Sequence, residues 1–398
     1  MKSAKLETIT ILAIICSFLN TNAQDYTLPN PLELADGGMV TCTHLWHDTR
    51  REEILELLRE NVYGRSPKPD SVAFNVVEEA KDMMNGNAKR KQVDITVWGP
   101  HGEHTFRLLI FIPQDLQGPV PLFLLLNNRD ESNTDPTRNI IEDFWPAEDV
   151  IARGYGIAAL QNKQLAPDDE NTYRNGAINL FYTGCQLPAN AWRAVAAWAW
   201  GGSRAMDYFE TDQDIDHTRI AVIGHSRGGK AALWRGAEDE RFSLVISNNS
   251  GCTGAAVSRN KKGERVARIN SRYPHWFCDN YKQYGDNEDK LPVDQHQLIA
   301  LMAPRLVYIA SAEKDAWADP EGEFLAGVHA GPVYQLYGLQ GLGTDQQPAL
   351  NQPIQKGFIG YHIRSGGHDL TSYDWQKYLD YADLHLGKIP VKSSIKTQ

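Results

Sequence analysis

Ser226 stands between two glycines in Gly224-His225-Ser226-Arg227-Gly228, within the stretch AVIGHSRGGKAAL (residues 221–233). An apolar run precedes it and a run of helical composition follows. A serine hydroxyl attacks an acyl carbon only if a base takes its proton. The glycines are needed because a serine in a sharp strand-to-helix turn brings neighbouring backbones into contact. The base and the acid that orients it should come later in the chain, in the order serine, acid, histidine. His368, in RSGGHDL, lies on a glycine-rich loop before the last helical run, and Asp315 follows the apolar stretch RLVYIAS. The other histidines fit less well. His225 is inside the turn itself, His275 and His296 precede Asp315, and His329 and His362 have no comparable loop. The set predicts acyl transfer to Ser226 followed by hydrolysis, with His368 as base and Asp315 as its acid.

Two cations beside the serine point to the substrate. The backbone N–H of Arg227 follows the nucleophile and is therefore an oxyanion donor. Its guanidinium can add a charged donor to the same oxygen. Lys230 follows Ser226 by four residues and so shares its helix face, with its Cβ inclined toward the helix N-terminus. The three N–H donors of its ammonium suit a hydroxyl-rich group held beside the serine.

Apolar strands alternate with helical patterns through the chain. REEILELLRENVYG (51–64) has helical periodicity and is stopped by Gly64 and Pro67. RKQVDITVWGP and HTFRLLIFIP predict an antiparallel pair around a Gly-Pro turn. VPLFLLLNN (120–128), GYGIAALQ (154–161), TRIAVIGH (218–225), FSLVISNNSG and RLVYIASAEKD predict buried strands. NAWRAVAAWAWGGSRAMDYF (190–209) and SYDWQKYLDYADLHL predict helices. This order predicts an α/β fold with a mainly parallel central sheet, helices on both faces and three layers. With the glycine-flanked serine on a strand-to-helix turn, it is the pattern of an α/β-hydrolase. Residues 253–296 are polar and aromatic with weak periodicity, and predict a long excursion over the sheet where substrate contacts gather.

The chain has 398 residues, a net charge of −10 and a pI near 5.7, which speak against nucleic-acid and anionic-membrane partners. Early lysines, an apolar run from Ile9 to Leu19 and small residues ending at Ala23 predict a signal peptide, residues 1–23, cut near Ala23. The apolar run is shorter than the roughly 20 residues a membrane anchor needs. A periplasmic or secreted esterase domain over residues 24–398 is expected, acting as a monomer. Its four cysteines, Cys42, Cys185, Cys252 and Cys278, permit two disulfides or remain free thiols. No Cys-x-x-Cys spacing or clustered His/Asp pattern is present in the sequence, and no metal or other cofactor is expected.

The chain resembles the glucuronoyl esterases, carbohydrate esterase family 15, in their bacterial form. The resemblance runs through VYGRSP, GHSRGGKAALWRGAEDERF, NNSGCTGAA, GERVARIN, PHWFCDNYKQY, LPVDQHQLIALMAPR, SAEKDAWADP and RSGGHD, in that order. It implies cleavage of the ester between a 4-O-methyl-glucuronic acid branch of glucuronoxylan and a lignin alcohol. It also implies that Lys230 and Glu264 hold sugar hydroxyls and that Trp317 lines the uronate pocket. Many members carry a glutamate where this chain has Asn249, and a small or sulfur-bearing residue in place of His225. An amide cannot stabilise an imidazolium as a carboxylate does, so the acid falls to Asp315. An acetylxylan esterase would use the same triad with a small acyl group, and a non-catalytic carbohydrate-binding relic would keep only the fold.

Overall fold

The structure is a computed structural model and describes residues 26–387 apart from Asp115, Gln117, Cys185 and Lys261. The expected signal peptide lies outside the described residues. The strands are β1 (Ser71–Asp82), β2 (Ala88–Gly99), β3 (Gly102–Pro113), β4 (Val120–Asn127), β5 (Gly156–Gln161), β6 (Ile215–His225), β7 (Leu244–Asn248), β8 (Leu306–Ala312) and β9 (Ile359–Arg364). They form one sheet in the order β1-β2-β3-β5-β4-β6-β7-β8-β9. β1, β2 and β3 pair antiparallel, as does β3 with β5; from β5 through β4 to β9 every pairing is parallel.

Alternation along the strands divides the core into two layers. Leu122, Leu124 and Leu126 of β4 face α1 (Arg51–Leu58), α3 (Ala194–Phe209), α4 (Arg227–Glu238) and α5 (Pro320–Leu336), whereas Phe123 and Leu125 face α2 (Ala147–Ala152) and α6 (Ser372–His385). Successive side chains of a strand point to opposite faces, so a strand covered on both sides must be apolar throughout. All eight residues of β4 are buried. The result is the expected three-layer α/β-hydrolase arrangement.

The helix predicted from residue 190 begins at Ala194, because Arg193 is extended (φ −129°, ψ −166°) and the Ala194 N–H donates to the His275 carbonyl at 3.1 Å. Residues 253–296, which connect β7 to β8, form short helical turns with a buried aromatic interior of Trp276, Phe277 and Tyr281. The two-disulfide option is not realised: Cys42, Cys252 and Cys278 are free thiols, and Cys185 lies outside the described residues. Among the described residues no helix is long and apolar enough to cross a membrane.

Candidate active site

The loops after the carboxyl ends of β6, β7, β8 and β9 converge, the position where open parallel sheets form their sites. Ser226, between β6 and α4, has φ 56° and ψ −124°. A non-glycine residue there carries roughly 1–3 kcal/mol of backbone strain. It is held by hydrogen bonds from its N–H to the Asn248 carbonyl at 2.8 Å and from the Gly229 N–H to its own carbonyl at 2.9 Å. The flanking glycines are a packing requirement: a Cβ at Gly224 would sit 2.0 Å from the Gly228 carbonyl oxygen, and one at Gly228 would sit 2.8 Å from that of Leu126.

His368, on the loop after β9, has a 41% exposed side chain, and its Nδ1 lies 2.5 Å from Asp315 Oδ2. With Nδ1 bound to the carboxylate, Nε2 is the nitrogen left for the serine. Asp315 is buried after β8. Burial works to raise its pKa, but the hydrogen bond and charge of His368 and the Asn249 amide outweigh it and hold the carboxyl below its ordinary value. Asn249, at the end of β7, donates through Nδ2 to Asp315 Oδ2 at 2.9 Å. The chain's amide at the alternative acid position is therefore a direct neighbour of Asp315. The rings of His225 and His368 are tilted at 50° with centroids 4.5 Å apart, and burial followed by that neighbour pushes the His225 pKa down to about 3. It stays neutral, with Nδ1 2.6 Å from Asn248 Oδ1.

Lys230 is buried one turn into α4. Its ammonium donates to the Ser250 carbonyl at 2.6 Å and to the Cys252 carbonyl, and lies 3.8 Å from Glu264 Oε2. Of its three N–H donors, two are thus engaged by backbone and one remains for a ligand. Glu264 is brought there by the positive φ of Gly263, 61°, where a Cβ would meet the Trp317 carbonyl at 2.5 Å; the Glu264 N–H donates to that carbonyl at 2.8 Å. Trp317 itself is 52% exposed.

All of the predicted site residues, Ser226, Arg227, Lys230, Glu264, Asp315, Trp317 and His368, line a single cleft of about 390 Å³. Tyr273 and Trp276 also line it, stacked on each other with centroids 3.8 Å apart. Sequence reasoning did not single them out, although PHWF within the polar, aromatic excursion was a signal for Trp276. Asp168, which binds Arg227 Nε at 2.7 Å, was also missed, since APDDEN resembles a solvated turn. A larger hollow of about 760 Å³ lies elsewhere, beside the paired Arg138 and Glu148, and contains no serine or histidine. Among the described residues, no group of three or more His, Cys, Asp or Glu side chains could hold a metal ion.

Residues 95–338 match the family described as "Glucuronyl esterase, fungi". A carbohydrate esterase of an unknown prokaryotic organism is 43% identical over 91% of this chain and 90% of its own length. The chain belongs to the glucuronoyl esterase family. It is accordingly a carboxylic ester hydrolase. Among solved structures, a glucuronoyl esterase from Solibacter usitatus superposes with a TM-score of 0.84 at 41% identity, covering 90% of this chain and 98% of that one. The 4-O-methyl-glucuronoyl methylesterase of Schizophyllum commune is 29% identical over 78% of this chain and 74% of its own. At the end of β7, Asn249 Oδ1 is buried with no partner.

Proposed function

We propose that this chain hydrolyses the ester joining 4-O-methyl-glucuronic acid of glucuronoxylan to a lignin alcohol, as an exported enzyme. The observation that carries this reading is the meeting, in one cleft, of Ser226, the His368–Asp315 pair and the Lys230–Glu264 pair. His368 Nε2 takes the proton of Ser226, whose oxygen attacks the uronate carbonyl carbon. Arg227 supplies its backbone N–H and guanidinium to the oxyanion. Collapse expels the alcohol, which receives the proton from His368. Water then attacks the acyl-enzyme with His368 again as base, releasing the free uronic acid and restoring Ser226. Lys230 and Glu264 offer a donor and an acceptor to adjacent sugar hydroxyls, and Trp317 offers an aromatic face at the rim.

The name of the Schizophyllum commune relative supports the substrate class, and the pattern of residues 1–23 supports export. Nothing in the cleft favours an acetyl ester over a uronate ester. Initial rates on benzyl and methyl glucuronate, measured beside acetate release from acetylated xylan, test the reading. Hydrolysis of the uronate esters with xylan acetyl groups left in place is expected. Acetate release without uronate ester cleavage would overturn it.

A further inference from the structure

Arg227 is held from behind. Its Nε forms an ion pair with Asp168 Oδ2 at 2.7 Å, and its Nη2 donates to the Asn128 carbonyl at 3.0 Å. No described residue accepts from Nη1, and the side chain lines the cleft. Asp168 comes from the loop after β5, and its side chain is 16% exposed. Its Oδ1 accepts from two residues of the excursion, His275 Nε2 at 2.9 Å and Trp276 Nε1 at 2.7 Å. Burial works to raise the Asp168 pKa, but the His275 hydrogen bond and the Arg227 charge prevail and keep it below the ordinary carboxylate value.

We propose that Asp168 is the positioning residue of the oxyanion site, fixing the Arg227 guanidinium so that Nη1 faces the reacting carbonyl oxygen. The proposal rests on the oxyanion role of Arg227 given above. A donor stabilises developing charge well only if it is already in place when that charge forms, and an untethered arginine on a cleft wall samples many rotamers. Two opposed effects are at work. A carboxylate at 2.7 Å reduces the net positive charge that Arg227 presents, whereas the ion pair at Nε fixes where that charge points. The geometry favours positioning, because Asp168 meets Nε, the nitrogen that faces away from the tip, and leaves Nη1 to the cleft.

Asparagine cannot replace it. The site sets the Arg227 charge against one carboxylate oxygen and two N–H donors against the other, and an amide is neutral with one acceptor oxygen. If that oxygen faces Arg227, the amide nitrogen confronts the Trp276 indole N–H. His275 has no second partner to fall back on, since its Nδ1 is buried and unpaired.

Asp168→Asn, Arg227→Ala and the double variant, each checked for folding by thermal melt, decide the matter on benzyl glucuronate. Asp168→Asn should lower kcat about tenfold or more with little change in KM, as expected for a displaced catalytic group. That loss should disappear in the Arg227→Ala background, because there is then nothing left to position. An Asp168→Asn enzyme as fast as the parent, or faster, would mean that charge compensation prevails and would overturn the proposal. An equal loss in both backgrounds would also overturn it, by making Asp168 a support of the fold. If Arg227→Ala alone leaves kcat unchanged, the oxyanion reading of Arg227 fails, and this proposal with it. Should Asp168→Asn not fold, Asp168→Glu, which displaces the carboxylate by one methylene, enters the same cycle with the same outcomes.

Discussion

Asp315 Oδ2 receives two donors, His368 Nδ1 at 2.5 Å and Asn249 Nδ2 at 2.9 Å. The second bond orients the carboxylate without competing for protons, because an amide does not titrate. Asp315→Asn should lower kcat by about a thousandfold or more, given that the corresponding change in the serine-protease triad costs about 10⁴. Adding Asn249→Glu should recover part of the loss, since the new carboxylate would start from the side chain already in contact with Asp315. Recovery should be incomplete. Residue 249 has φ 47°, a left-handed conformation that costs a glutamate roughly 1–2 kcal/mol. Rates on benzyl glucuronate check both variants, and an Asp315→Asn enzyme that keeps more than about a tenth of the activity would refute the assignment, in view of that template. The residues legible from sequence were those with a role tied to chain order: the serine turn, then the acid, then the histidine. Asp168 was hidden because its meaning depends on three partners distant in sequence, at Arg227, His275 and Trp276.

The loops at the strand ends are held by buried polar hubs. Arg364 at the end of β9 spends its donors on the loop that carries His368, reaching the carbonyls of Ser365, Gly367 and Asp369 at 3.0, 3.1 and 2.6 Å. Its Nε is fixed by Asp374 at 2.8 Å, which also caps α6. Beneath the β7 loop, Glu323 of α5 accepts the Gly251 N–H at 2.9 Å and is hydrogen-bonded to the Ser311 hydroxyl at 2.6 Å. Burial is the main cause that pushes its pKa from an ordinary 4.5 up to about 8. Between those values the folded protein keeps a proton that the unfolded chain has released, so this contribution to stability is complete below pH 4.5 and lost as pH rises toward 8. Glu323→Gln cannot titrate, and its amide N–H can donate to Ser311. The fall in Tm between pH 5 and pH 8 should therefore be smaller in the variant than in the parent; an equal fall would contradict the assignment. Stretches buried on both faces, such as β4 and the Ile220–His225 half of β6, were legible as apolar runs. β1 was not, because an edge strand such as SVAFNVVEEAKD leaves Val76 and Val77 exposed and carries charges. β9 is short and contains His362 and Arg364, and α5 was masked by its glycines and Pro332.

The described residues form one sheet, and the candidate site sits at the carboxyl ends of its parallel strands. Parallel pairing from β5 to β9 aligns the carboxyl ends of the strands, so residues from 226 to 368 meet in one cleft although 142 positions separate the first from the last. The excursion contributes Glu264 and Trp276 to its lining, and Asp168, from the loop after β5, stands behind Arg227. The central claim is that this cleft works through a covalent acyl-enzyme on Ser226. The direct measurement is kcat for benzyl glucuronate in Ser226→Ala beside the parent, with folding confirmed by thermal melt. Little packing is lost with one hydroxyl, so Tm should stay close to that of the parent. Turnover should fall by about a millionfold, as in a serine protease stripped of its nucleophile. A folded Ser226→Ala protein with near-parental turnover would contradict the account.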